Sequence, residues 1–71
     1  MDKRMDYLAL SNEYLGEAQK LKEAIVPIKN RLKQKRLGFE ETISLQRRQA
    51  MLYQMYLECR FTGLYLKRHY A

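Results

Sequence analysis

Seventy-one residues allow one domain with a thin core, because at this size burial and the entropy cost of ordering the chain nearly cancel. One cysteine, Cys59, excludes an internal disulfide, and one cysteine with one histidine, His69, cannot complete a zinc site. Self-association is the remaining support for so small a chain, and a formal charge of +6 adds anionic surfaces to the partners worth weighing.

The charge is unevenly placed. Residues 1–28 carry four Lys and Arg against five acids, whereas residues 29–71 carry ten against Glu40, Glu41 and Glu58. The opening residues, MDKRMDYLALSNEYL, hold no uninterrupted apolar run and no cleavage site, so a cytoplasmic chain is expected.

A first helix is predicted over about residues 6–37, with Asp6 or Ser11 as its N-cap. Tyr7, Leu10, Tyr14, Ala18, Leu21, Ile25, Ile28 and Leu32 recur at steps of three and four, which puts them in one narrow sector. Glu13, Glu17, Lys20, Glu23 and Lys33 fall largely outside it, so this helix has one main apolar stripe and a solvated remainder. Pro27 frees the carbonyl of Glu23, but the stripe keeps its phase through Ile28 and Leu32. A kink within one helix is the expectation, and a break giving three helices is the alternative.

The stretch IKNRLKQKRL closes that helix with cations that complement its dipole, and Gly38 is the expected C-cap. The turn is placed at about residues 37–40, with Phe39 packing over the join. A second helix follows over about residues 41–69, and Glu40 and Glu41 favour its start.

Within this second helix, AMLYQMYLECRFTGLYL is apolar on two faces at about 100° per residue. One face carries Ile43, Ala50, Leu57, Phe61 and Leu64, with Tyr53 and Tyr65 at its edges. The other carries Leu45, Leu52, Met55, Cys59 and Leu66, with Tyr56 beside them. A helix with a single neighbour needs one stripe, so two stripes imply two neighbours. The short turn makes the helices antiparallel, with Leu21 near Tyr56, Glu17 near Arg60 and Tyr14 near Gly63.

The fold expected is therefore an all-α antiparallel two-helix hairpin that dimerises into a four-helix bundle. Leu45, Leu52, Met55, Tyr56, Cys59 and Leu66 are the expected interface between copies. A membrane span is disfavoured by Gln54, Glu58 and Arg60 inside the apolar run, since a central charge costs roughly 2.5–3.5 kcal/mol on insertion.

Catalysis finds little footing. Cys59 lies mid-face where a small buried thiol is ordinary, and His69 is too far along the helix to activate it. No phosphate-cradling glycine loop and no metal-ligand spacing is present, so a non-enzyme without cofactors is expected. The run RLGFEETISLQRR departs from helix-turn-helix DNA readers. It is one residue short between Gly38 and Ile43, and Gln34 stands where such helices place a small residue.

Two functional readings remain. The first is a helical interaction or regulatory module that self-associates and binds a partner protein. The alternative is a nucleic-acid-binding protein that places Lys29, Arg31, Lys33, Lys35, Arg36, Arg47 and Arg48 against phosphates at the turn end. Apart from Phe39, that end lacks aromatic rings for stacking on bases.

Overall fold

Seam positions spaced alternately three and four residues apart keep one side of a helix turned toward a neighbour. Both halves of the chain carry such a seam, and a computed structural model packs them together. It describes residues 3–34 and 36–70, with side chains described over 6–34 and 36–69. Helix α1 (Lys3–Leu32) and helix α2 (Phe39–Tyr70) form an antiparallel hairpin 56 Å long and about 15 Å across. No strand occurs among the described residues.

The seam of α1 runs through Tyr7, Ser11, Tyr14, Ala18, Leu21, Ile25, Ile28 and Leu32, all buried or half-buried. Ser11 takes the place expected for Leu10, which is exposed. The facing seam of α2 runs through Thr42, Leu45, Gln49, Leu52, Tyr56, Cys59, Gly63 and Leu66. These steps of three and four match those of α1, as two long helices packed along their length require.

The helices approach closely at Gly63. A Cβ built there would lie 2.8 Å from Leu15 Cγ and 3.1 Å from the Ser11 carbonyl oxygen. The Ser11 hydroxyl, 0% exposed, donates a 2.6 Å hydrogen bond to the Gly63 carbonyl. Serine inside a helix usually bonds its own preceding turn. Here the missing side chain of Gly63 brings a second helix's carbonyl within reach. Ser11 and Leu15 thus bracket Gly63, where Tyr14 was expected. The expected approach of Glu17 to Arg60 is replaced by local contacts. Glu17 pairs with Lys20 at 3.5 Å, and Arg60 donates to the Tyr56 hydroxyl at 3.0 Å.

The ends of the helices differ from the sequence expectation. Helix α1 starts at Lys3, so Asp6 sits in its first turn, where its charge complements the dipole, and Ser11 lies well inside. At the other end it stops at Leu32 rather than near residue 37. The next seam position falls at Lys35, a lysine with nothing apolar to bury, and Lys29 and Lys33 repel at a spacing of four. The last turn tightens as the Lys33 amide shares the Lys29 and Asn30 carbonyls, each at 3.3 Å.

Gly38 does not cap α1. It has no positive φ, and its carbonyl accepts both the amide and the hydroxyl of Thr42, each at 2.9 Å. It is therefore the residue from which α2 begins. Phe39 is 80% exposed and does not pack over the join.

Helix α1 runs without interruption through Pro27, which is exposed between the buried Ile25 and Ile28. Packing of those two residues holds the helix where proline removes a backbone bond. Pro27→Ala should therefore raise helicity and thermal stability, by about 1–3 kcal/mol where little strain compensates. Circular dichroism and a thermal melt check this, and a fall in melting temperature would contradict it.

The two helix-interior glycines should respond in opposite directions. A Cβ at Gly16 meets nothing within 4 Å, so Gly16→Ala should gain about 0.5–1 kcal/mol of helix stability. Gly63→Ala makes the same propensity gain but forces the Ser11 backbone away. Overpacking of about 1–3 kcal/mol should leave a net loss. Melting temperatures of the two variants should move apart on either side of the parent.

Candidate interaction surfaces

The register decides which apolar stripe of α2 is used inside the chain. Leu45, Leu52, Tyr56, Cys59 and Leu66 were expected between copies, but they lie on the seam that contains Gly63 and are half-buried against α1. Met55, the sixth of that set, is exposed at the seam's edge. The other stripe stays uncovered. Ala50, Tyr53, Leu57, Phe61 and Leu64 are exposed, and Phe61 reaches 73%.

This outer stripe is rich in rings. Phe61 and Tyr65 lie 6.5 Å apart and nearly parallel, and Tyr65 meets the His69 ring at 4.4 Å. The spacing of four stacks these three rings along one line of the helix. Met51, at 57% exposure, adds a flexible thioether on the flank. With Leu57 and Leu64 these rings make a strip of exposed apolar and aromatic surface along one side of α2.

At the turn end the cations divide among several sides. Arg31 is committed to Glu41, donating to one carboxylate oxygen from Nε at 3.0 Å and Nη2 at 2.8 Å, and a further guanidinium nitrogen meets Gln34. Both partners are close to half exposed, so the pair contributes at most about 1 kcal/mol. Arg48 lies two turns beyond Glu41 on the same side of α2. Lys29 shares a surface depression with Gln46, Gln49, Ala50 and Tyr53. Arg47 shares another with Glu40, Ile43 and Ser44. Lys33 and Arg36 are exposed in the connection, and Lys35 lies outside the described residues.

Cys59 is half-buried on the inner seam, whereas His69 is exposed against Tyr65. The structure does not bring them together. Among the described residues no group of three His, Cys, Asp or Glu side chains is placed to hold a metal ion. No helix is long and apolar enough to cross a membrane. No known protein family, curated protein or solved structure matches this chain.

Sequence reasoning missed Ser11 as a seam residue. The clue was its spacing, four residues after Tyr7 and three before Tyr14, which its polarity hid.

Proposed function

We propose that this chain is a small helical interaction module, acting without catalysis through self-association and partner-protein binding. The observation that carries the reading is the outer stripe of α2, with Tyr53, Leu57, Phe61 and Leu64 exposed along one side. The hairpin buries few apolar side chains, namely Ala18, Ile25 and Ile28 among the described residues. Covering the outer stripe would add apolar burial that the isolated hairpin lacks, at about 25 cal/mol per Å².

The test is sedimentation of the full chain at micromolar concentration. The parent should be a dimer. Leu57→Glu with Phe61→Glu should be monomeric, because a charge buried without a partner is costly. Neither residue is on the inner seam, so helicity should survive. A parent that sediments as a well-folded monomer throughout the micromolar range would overturn the reading.

A second reading is supported by the cations. Lys29, Lys33, Arg36, Arg47 and Arg48 are exposed and make no ion pair among the described residues. Such charges suit phosphates, with contacts independent of sequence. Binding to a DNA duplex should then weaken with salt at a log–log slope of about 0.9 per phosphate neutralised, and Arg36→Glu with Arg48→Glu should flatten it. Absence of binding at low salt to duplex and single strands alike would remove this reading.

A further inference from the structure

The outer stripe has charged borders, and their order along α2 specifies how a second copy can lie on it. Glu40 and Arg47 border Ile43 in one surface depression, and Arg68 borders Leu64 in another. Glu58 lies beside Leu57, where it accepts a 3.3 Å hydrogen bond from Gln54. None of these four charged groups makes an ion pair among the described residues. Four charges rimming an apolar strip are thus left without opposite charge by their own chain.

Resting on the self-association reading, we infer that the stripe takes a second copy of itself, with the two α2 helices antiparallel about a two-fold axis between Tyr53 and Gln54. That point is midway between Ile43 and Leu64, so each copy's Ile43 lies level with the partner's Leu64. Residues equally distant from the axis on opposite sides become neighbours. Glu58 then comes within about two residues of level with the partner's Arg47, an axial offset of roughly 3 Å at 1.5 Å per residue. Glu40 comes within about one residue of the partner's Arg68. The two-fold repeats each contact, so all four border charges on both copies gain an opposite neighbour.

A parallel pair in register offers no such match. It turns the border that carries Glu40, Arg47, Glu58 and Arg68 toward the partner's opposite border, so none of the four meets another of the set and Arg68 falls almost level with the partner's Lys67, a like charge across the interface. The apolar residues fit either direction, because Ile43, Ala50, Leu57 and Leu64 recur every seven residues. The charges therefore select the antiparallel arrangement.

Two measurements on the full chain test this. In a Cys59→Ser background, a spin label at Ser44→Cys should give a separation near 28 Å along the paired helices, since each Ser44 is about nine to ten residues from the axis. A parallel dimer would hold the same labels within about 15 Å, given helix separations of 8–10 Å. Separately, Glu58→Arg or Arg47→Glu alone should weaken dimerisation by about tenfold at low salt, and the two together should restore it. Labels within 15 Å, or a double variant as weak as the single ones, would overturn the antiparallel placement and leave self-association standing. A parent that sediments as a monomer at the same concentration would overturn both.

Discussion

The close approach of α1 and α2 at Gly63 sets the geometry of the rest of the hairpin. Apolar seams with a seven-residue repeat can slide by whole repeats and still match. A buried hydroxyl cannot. Moving Ser11 by one repeat would set it against Tyr56, exchanging the room beside a glycine for the bulk of a ring. The Ser11 hydroxyl, fully buried and 2.6 Å from the Gly63 carbonyl, would lose its acceptor. An unsatisfied buried polar group costs about 1–3 kcal/mol, so this bond and the missing Cβ together fix the register.

Once that register is set, the fate of every other apolar residue on α2 follows. The seam with Leu45, Leu52, Tyr56, Cys59 and Leu66 is turned to α1, and the stripe from Ala50 to Leu64 is turned away. A two-helix unit can cover only one side of each helix. The uncovered side of α2 carries aromatic and aliphatic residues, whereas α1 leaves only Leu8, Leu10 and Val26 as large exposed apolar side chains among its described residues. The asymmetry between the helices explains why the interaction reading centres on α2 alone.

Electrostatics act at a finer level. The six-residue connection between Leu32 and Phe39 is basic, and its cations cannot bury or extend α1 without repulsion. Arg31 and Glu41 tie the two helices across that end, in a geometry water can still reach. Along the outer stripe the unpaired acids and cations contribute little to the stability of one hairpin. In the proposed self-association they discriminate between possible arrangements of the neighbour, which is how border charges act at interfaces.

The periodicity of the sequence by itself determined that there are two long helical stretches and that they form a hairpin; it favoured one helix across Pro27 over a break, and the structure decided for the continuous helix. These features depend on local spacing, and a seam that keeps its phase across a proline is visible without coordinates. Sequence also showed that α2 has two apolar sides and that cations gather toward the turn. It did not settle which side α1 takes, because hydrophobicity is nearly equal on both. Only the tertiary structure decided that, through shape: Gly63 admits Ser11 and Leu15, and no gap of that kind exists on the outer stripe. It likewise decided that α1 ends at Leu32 and that Gly38 begins α2, since helix ends depend on what the last turn can pack against. The candidate surface was therefore legible as a pattern of residues, while its direction, inward or outward, was fixed by a contact between positions fifty-two residues apart.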